Sequence, residues 1–565
     1  MSDFPLLSLI LFTPLVGAIV LLFVNGQRTN LIRWIANIFA TGGFLVSLPL
    51  WFQYDTQNPE WQFVERHEWI PSIGAEYFLA VDGFSSLMIL LATLMGVIAV
   101  LSSWTAITER LKEFYIFMLT LQAGMLGAFM ALDFLLFFVF WEVMLVPMYF
   151  LIGIWGSDRR LYSAIKFFLF TLVGSVVMLL GILAVYFYQY SVTGVYTFDV
   201  TQFHNLNIPE NMQWWIFLAF FLGFAVKVPM FPFHTWLPDA HTDAPTAASV
   251  ILAAVLLKMG TYGFIRFSLP ILPEATRTFV PMIVALSIIG IVYGALVAMA
   301  QSDWKRLIAY SSVSHMGMVM LGMFALTPVG LTGSIVQQLN HGISTGALFL
   351  IVGIVYERRH TREISEYGGL SKIMPVYAAV FLIMTMSSIG LPTLNGFIGE
   401  VLILQGVFVV SKLWAAFAAS GIVLGAAYML WLYQRTMFGT VTNPKNERLP
   451  DLTVREFATF APLLILAVWI GLYPSPFLRR LETSVDHVMT RVSGDYIPRT
   501  ALRTCPDGSS DPGVAGQRAS ADRRSSASPF LTAACEEASR PGHPLASASR
   551  SDLPNGHSPV SGEGE

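Results

Sequence analysis

The stretch that decides the fold is Phe224–Gly260, FAVKVPMFPFHTWLPDAHTDAPTAASVILAAVLLKMG. Lys227 stands at the end of one apolar run, a cluster of prolines interrupts that run, and Lys258 lies inside the next apolar run. A charged side chain at mid-membrane costs roughly 3 kcal/mol on insertion scales, so a membrane protein that keeps two should use them. The stretch therefore predicts a broken membrane helix and two functional lysines.

The composition extends this interpretation to the whole chain. Of its 565 residues, 55% are hydrophobic and only 12% are charged, and the mean hydropathy is +0.63. A spanning helix needs about 20 mainly apolar residues, and the chain offers roughly fourteen such runs in series. We expect an all-α, polytopic membrane protein in a lipid bilayer. The near-neutral net charge and the lack of a basic stripe indicate no nucleic-acid partner.

The composition changes at about residue 501, where Ser, Pro, Gly, Arg and Asp replace the large apolar residues. Residues 1–495 are predicted to form the transmembrane domain, and residues 496–565 a disordered low-complexity tail or a non-native extension. Both cysteines, Cys505 and Cys535, fall in this tail. The membrane region is therefore predicted to hold neither a disulfide nor a thiolate-bound iron–sulfur cluster.

The charges of the loops predict the orientation. One set of alternating loops carries most of the lysines and arginines, whereas the opposite set carries little beyond Arg66, Arg266, Arg277 and Lys412. Because cytoplasmic loops are enriched in Lys and Arg, the first set is predicted to be cytoplasmic. With an even number of spans, both termini then lie on the non-cytoplasmic side of a bacterial inner membrane.

Proline breaks occur at two corresponding places. Pro229 and Pro232 interrupt the seventh predicted span and Pro392 the twelfth, and such breaks are tolerated only where protein or water satisfies the freed backbone groups. A lysine stands beside the first break, and Glu400 follows the second. Corresponding interrupted segments in two halves indicate an inverted-repeat transporter with ion sites at mid-depth.

Glu142, in LLFFVFWEVMLVPMYF, is flanked by apolar residues on both sides. A carboxylate in such surroundings would bind a proton unless a cation lay nearby, and Lys227 is the predicted partner. One alternative is a static ion pair that joins two helices. We favour a switch, in which Lys227 keeps its proton while Glu142 is close and releases it when Glu142 withdraws.

Four further residues could continue a proton path. Lys258 is the predicted acceptor, and His315 and His341, in neighbouring spans, can pass a proton between their ring nitrogens. A packing role remains the alternative for both histidines, more so for His341. Glu400 is the next carboxyl group toward the outer side. Nitrogens dominate this cluster, whereas Na⁺ would need several oxygens, so the residues predict a proton relay.

His234 and His241 follow Lys227 at a spacing that invites a metal-site interpretation. Prolines between them make one continuous helical face improbable, and HTWLPDAH lacks the HExxH pattern, so we reject the metal site. We expect both histidines on a cytoplasmic loop, with Asp239 and His241 near the point of proton uptake. Lys305 is explained first by the positive-inside rule and, less strongly, as a charge that guides protons.

Several pieces of sequence resemble a known family. They are FWEVMLVPMYFLIGIWG around Glu142, the opening stretch around both lysines, DWKRLIAYSSVSHMG ending at His315, and LNHGISTGALF at His341. They resemble the antiporter-like membrane subunits of proton-translocating NADH:quinone oxidoreductase, respiratory complex I. The resemblance covers about residues 1–490.

This resemblance implies about 14 helices, with two inverted five-helix repeats at about 114–268 and 278–437 and breaks in helices 7 and 12. It implies proton translocation driven by quinone reduction elsewhere in the complex. Among the family's chains L, M and N, one carries glutamate in the broken twelfth helix where its relatives carry lysine, and Glu400 matches that form. The relay that follows from residues and resemblance together comprises Glu142, Lys227, Lys258, His315, His341 and Glu400.

The resemblance also implies chains L and N as flanking partners. Flavin, iron–sulfur clusters and quinone are then expected in partner subunits, with no cofactor or metal in this chain. Two alternatives remain for the function. One is a Na⁺/H⁺ antiporter subunit of a multi-subunit cation/proton antiporter, and the other is a structural spacer in the membrane arm.

Overall fold

Helices account for most of the structure. The computed structural model describes residues 4–441 and 443–493. All of these residues except Ser493 belong to one compact unit, Met1–Val492. Ser493 is the first residue of a second unit. The predicted tail, residues 496–565, lies outside the described residues, as do both cysteines.

The helices, in chain order, begin with α1 Leu6–Phe23, α2 Thr29–Ser47, α3 Pro49–Phe52, α4 Gly83–Ala106, α5 Leu111–Met130, α6 Phe134–Val143, α7 Leu145–Trp155 and α8 Arg160–Thr193. They continue with α9 Val200–Phe203, α10 Glu210–Lys227, α11 Trp236–Asp243, α12 Thr246–Ile251, α13 Leu257–Gly263, α14 Leu269–Ile271, α15 Pro273–Met299 and α16 Trp304–Phe324. The last are α17 Pro328–Arg359, α18 Leu370–Ile373, α19 Pro375–Ser388, α20 Asn395–Val410, α21 Lys412–Met437, α22 Val454–Leu472 and α23 Ser475–Val492.

Twelve helices among the described residues are long and apolar enough to cross a membrane, judged by length and composition. Two shorter apolar helices, α19 and α20, add a further pair. These findings confirm the all-α, polytopic membrane class, whereas the total of about 14 spans and the inverted repeats remain predictions. The three spans that carry Lys258, His315 and His341 are the most enclosed by protein, with 100%, 89% and 94% of their apolar windows buried.

A small β-hairpin departs from the all-α expectation. Strands β1 Gln62–Ile70 and β2 Ala75–Val81 pair in an antiparallel sheet, and Gly74 between them has φ 67°, a conformation that glycine adopts without strain. Glu65 in β1 accepts hydrogen bonds from the Leu7 amide at 2.6 Å and the Ser8 hydroxyl at 2.5 Å. Because these donors lie in the first turn of α1, the carboxylate also complements the helix dipole.

Both predicted helix breaks are present. Helix α10 ends at Lys227, and its final turn is closed by Trp236, whose indole N–H donates to the Val226 carbonyl at 2.9 Å. Helix α19 ends at Ser388 and α20 begins at Asn395. The freed backbone groups are thus satisfied inside protein, as a break at membrane depth requires.

Two irregularities were not expected from the sequence. The span around Glu142 is interrupted at Met144, between α6 and α7. Pro147 accounts for this because it has no N–H to donate to the Val143 carbonyl. The span Thr246–Ile271 also contains two π-helical turns, Leu252–Leu256 and Phe264–Ser268, a feature that often marks functional sites.

The chain between the last span and the tail forms an amphipathic helix, α23, which the sequence analysis did not predict. Its apolar side chains Phe477, Leu481, Val485 and Val488 recur at helical spacing and are buried. The Ser484 hydroxyl accepts a hydrogen bond from the Phe84 amide at 3.3 Å. Helix α23 is therefore packed against the first turn of α4.

Candidate functional site: a buried series of ionisable residues

Lys227 occupies the end of α10, where the predicted break begins. Its side chain is 1% exposed, and its ammonium nitrogen has no hydrogen-bond partner among the described residues. The ammonium lies 5.1 Å from the Trp141 ring centroid and 5.9 Å from that of Phe167. Cation–π attraction to two rings only partly replaces the lost hydration. The charged ammonium of Lys227 is therefore less well stabilised than it would be with hydrogen-bond acceptors.

Glu142 lies at the end of α6, immediately after Trp141. It is partly exposed on the surface of the helix bundle, and its Oε1 atom has no partner among the described residues. Lys227 and Glu142 interact electrostatically, but no pair of their nitrogen and oxygen atoms comes within 4.0 Å to form an ion pair. The structure thus brings the predicted pair near to each other without direct contact.

Lys258 makes the central contact of the site. It is fully buried, and its ammonium nitrogen lies 2.7 Å from Nδ1 of His341 and 2.7 Å from the Ala253 carbonyl oxygen. The first π turn immediately precedes α13, which carries Lys258. Because a lysine ammonium can only donate, a charged Lys258 requires neutral His341 to accept through Nδ1 and to carry its proton on Nε2.

His315 and His341 meet on neighbouring helices. Their ring centroids are 5.7 Å apart at an interplanar angle of 86°. His341 is buried and its Nε2 has no partner among the described residues, while His315 is partly exposed. The predicted order placed His315 after Lys258, but His341 is the histidine that contacts the lysine.

Glu400 lies in the first turns of α20, beyond the second break. Its side chain is 4% exposed, and its Oε1 atom accepts a long hydrogen bond of 3.5 Å from the Gln337 amide. Its other carboxylate oxygen packs against Gly390, where a Cβ atom would collide with it. Gly390 also has φ 72°, so both the turn and the carboxylate require glycine at this position.

Helix α17 connects the histidines to Glu400. Gln337 lies one helical turn before His341, so both side chains are on the same face of the helix. Between them, the Asn340 amide donates to the Asn395 carbonyl at 2.6 Å, which fastens α17 to the start of α20. Gln337 and Asn340 were missed in the sequence, although the polar run QQLNH inside an apolar span was a signal for them.

The segment HTWLPDAH is not an exposed loop, which corrects the sequence-based expectation. His234 is 3% exposed, and His241 is completely buried, with its ring stacked on Phe349 at 4.4 Å between centroids. Both ring nitrogens of His241 lack partners among the described residues. Prolines at the start of a helix are tolerated because its first N–H groups are unpaired anyway, so the segment folds into α11 instead of a loop.

Asp239 in α11 is the centre of a charged cluster. Its carboxylate lies 2.7 Å from the Lys166 ammonium, and Arg159 and Arg306 approach it at 3.5 and 3.6 Å. Lys305 is also buried, at 5% exposed, and donates to the Ala244 carbonyl. Some charged residues that the positive-inside rule assigns to the loops are therefore buried in the protein.

Arg266 differs most from its predicted place. The loop charges predict that it lies in the weakly charged outer loops, but it lies in the second π turn and is 4% exposed. It forms an ion pair of 2.8 Å with Asp82. The apolar run of this helix ends only after Arg266, and a buried carboxylate from a distant part of the sequence could not be foreseen.

The contacts define what the site can do chemically. A proton on Lys258 can move to Nδ1 of His341 along a 2.7 Å contact, which leaves a neutral amine and an imidazolium. Glu400 can accept a proton next, because a carboxylate with one weak partner gains from neutralisation when buried. The described residues contain no group of three or more His, Cys, Asp or Glu side chains placed to hold a metal ion.

These features define a class of protein. Helices broken at mid-depth, with ionisable side chains at the breaks and a buried polar series between them, are typical of ion-translocating membrane proteins.

The comparisons identify the family within that class. Residues 131–425 match the family described as NADH:quinone oxidoreductase/Mrp antiporter, TM. A Rhodobacter capsulatus protein named NADH-quinone oxidoreductase subunit M is 47% identical over 503 residues, which cover 87% of this chain and 97% of that protein. An Arabidopsis thaliana protein named NADH-ubiquinone oxidoreductase chain 4 is 44% identical over 484 residues, with coverages of 86% and 97%. The chain belongs to the antiporter-like subunits of this family, which confirms the resemblance drawn from the motifs.

Solved structures agree with this assignment. A chain of respiratory complex I from Thermus thermophilus with bound NADH superposes with a TM-score of 0.78 at 31% identity, covering 86% of this chain and 100% of that one. A chain of the Mrp complex from Dietzia sp. superposes with a TM-score of 0.74 at 21% identity, covering 86% and 100%. At that identity the second likeness shows a shared fold alone.

Proposed function

We propose that this chain is a proton-translocating membrane subunit of an NADH:quinone oxidoreductase. The observation that carries the proposal is the 2.7 Å contact between Lys258 and His341, enclosed in the most deeply buried of the spans that the structure describes. A buried lysine in contact with an imidazole can exchange a proton at low cost. The same contact offers too few oxygen atoms to hold Na⁺, which disfavours the cation-antiporter alternative.

The path we propose takes a proton through Lys227 and Lys258, on to His341 and His315, and out through Glu400. Glu142 controls the first step. Because Lys227 and Glu142 are near each other without forming an ion pair, a small movement of α6 changes the energy of the ammonium strongly at low dielectric. Moving a charge against 100 mV needs about 2.3 kcal/mol, which a change in one buried interaction can supply.

The names of the relatives also suggest an assembly for this chain. We propose that the chain lies in the membrane arm of the complex, flanked by chains L and N, in a bacterial inner membrane with both termini on the non-cytoplasmic side. The flavin, iron–sulfur clusters and quinone then belong to partner subunits, and this chain is part of an oxidoreductase through its complex. The relatives' names and the loop charges support this arrangement.

The test is NADH-driven proton uptake in sealed vesicles that contain the whole complex with Lys258→Ala. We expect proton uptake per NADH oxidised to fall well below the wild-type value, because His341 loses its donor. Lys412→Ala, which removes an exposed lysine at the start of α21, is the matched control and should pump normally. A Lys258→Ala complex that assembles fully and keeps the wild-type proton-to-NADH ratio would refute the relay.

The spacer and antiporter alternatives make different predictions for the same vesicles. A structural spacer predicts that Lys258→Ala changes the amount of assembled complex and leaves the proton-to-NADH ratio alone. A cation antiporter predicts proton movement when a Na⁺ gradient is imposed without NADH.

A further inference from the structure

A second buried cation lies on the same helix as Lys258. Arg266 follows Lys258 by eight residues in the continuous helix Thr246–Ile271, about 12 Å further along at the usual rise per residue. The cluster formed by Lys305, Asp243 and Arg362 surrounds the other end of this helix, where a cavity of about 90 Å³ lies. Arg266 therefore stands between the Lys258–His341 contact and the opposite face of the protein.

Two of the three guanidinium nitrogens of Arg266 hold polar partners. Its Nε donates to the Tyr262 hydroxyl at 3.1 Å, and its Nη2 donates to the Ser85 hydroxyl at 3.0 Å and forms the ion pair with Asp82 at 2.8 Å. The guanidinium also stacks over the Trp61 ring at 4.5 Å. Because Tyr262 accepts from Arg266, its own proton points to the Phe129 carbonyl at 3.1 Å, so this hydroxyl is engaged both as an acceptor and as a donor.

Asp82 is held as firmly as the arginine. It is the N-cap of α4 and accepts the Ser85 amide at 2.8 Å. On its far side a cavity of about 10 Å³, room for a single water, is lined by Tyr54, Glu60, Trp61, Thr483, Ser484 and His487. A water molecule in this cavity would lie next to Asp82, and Arg266 is the next charged group inward.

We propose that Arg266, fixed by Asp82, is an electrostatic seal that closes the direct route from Lys258 to the outer face and directs protons along α17 to Glu400. Arginine stays charged in proteins, and a fixed positive charge in a narrow dry passage excludes protons. Because the Arg266 guanidinium keeps its charge, the seal remains closed while the relay turns over. This inference rests on the proposed relay, which supplies the path along α17 to Glu400. It adds Arg266 as the residue that prevents protons from taking another path.

The experiment measures passive proton conductance of vesicles containing the whole complex, with an imposed pH gradient and no NADH. The key variant is Arg266→Gln with Asp82→Asn, which removes both charges at similar shape and leaves neither one orphaned. We expect conductance to rise about twofold or more, because the double variant removes the dipole of the pair, whose positive end is nearer to Lys258, and a dipole acts more weakly over about 12 Å than a single charge does. Adding Lys258→Ala to the double variant should suppress this leak.

Two single variants serve as controls. Arg266→Lys keeps the charge and should not leak. Arg277→Gln removes an exposed arginine from the same end of the protein, where it pairs with Glu274 at the surface, and should not leak either. A double variant that oxidises NADH normally and conducts protons no faster than wild type would overturn the seal, as would a leak that Lys258→Ala does not reduce.

The failures of the two proposals are distinguishable. If the relay is wrong, Lys258→Ala by itself leaves NADH-driven pumping unchanged. If only the seal is wrong, Lys258→Ala still lowers the proton-to-NADH ratio well below the wild-type value, and the passive conductance of the double variant stays at the wild-type level.

Discussion

Arg266 and Lys227 are both buried near a carboxylate, and they are built in opposite ways. Arg266 touches Asp82 at 2.8 Å and has further partners for its donor groups. Lys227 is equally buried but has no hydrogen-bond partner among the described residues, and Glu142 does not reach it. The first pair is saturated and static, whereas the second can respond to a small displacement.

The difference follows from the side chains. A guanidinium offers five donors in a fixed plane and never loses its charge, which suits a permanent contact. An ammonium is compact and gives up its proton more easily when desolvated, which suits transfer. For Asp82, which lies outside the spans, burial acts against the charged form, but the Arg266 guanidinium outweighs it and holds the pKa of that carboxyl below its usual range.

The largest effect on stability is expected for Asp82→Ala. It leaves the buried Arg266 charge without its counter-ion and also removes the N-cap of α4, so the free energy of unfolding should fall by about 3–5 kcal/mol. Thermal unfolding of the purified full-length chain in detergent measures this. Combining Asp82→Ala with Arg266→Met should restore much of the loss, and a loss that the second change leaves intact would show that the ion pair is not its cause.

An intermediate effect on stability is expected when the pH is lowered, because His487, near Arg266, then becomes protonated. Burial and the nearby Arg491 and Arg266 charges lower the pKa of His487 to about 4. Between that value and the ordinary pKa of 6.5, the unfolded chain binds the proton more readily, so stability is lost as the pH falls through this window. The contribution is about 1–3 kcal/mol.

The check is to compare the unfolding midpoint of wild type and His487→Gln between pH 7 and pH 4. The variant should lose less stability than the wild type over this interval. Parallel curves for the two proteins would mean that the acid sensitivity comes from other groups.

The smallest effect on stability is expected for Lys227→Met. Because Lys227 has no bonded partner to orphan, replacing it with an apolar side chain of similar length should change the free energy of unfolding by no more than about 1 kcal/mol. NADH-driven proton uptake should nevertheless be lost. If Lys227→Met destabilised the protein as much as Asp82→Ala does, Lys227 would belong to a static ion pair like that of Arg266. The two sites would then not differ in kind.

The sequence supported some of these conclusions and not others. The lysines, the proline breaks and Glu400 could be located because a charge or a proline in an apolar span is conspicuous against hydrocarbon. Which groups touch was inaccessible, since Lys258 and His341 are 83 positions apart and the sequence favoured His315 as the relay histidine. Arg266 was misplaced because a charge near the end of a span looks the same whether it reaches water or a buried carboxylate.

Hydrophobic runs, prolines and isolated charges act locally, so the sequence alone was enough for the class of protein, the two broken helices and the residue types of the proposed relay. The contacts between these side chains are visible only in the tertiary structure. Lys227 and Glu142 do not form an ion pair, whereas Lys258 contacts His341 and Arg266 forms an ion pair with Asp82. These contacts depend on angstrom distances between helices far apart in the chain, and a difference of that size separates a fixed ion pair from one that can switch.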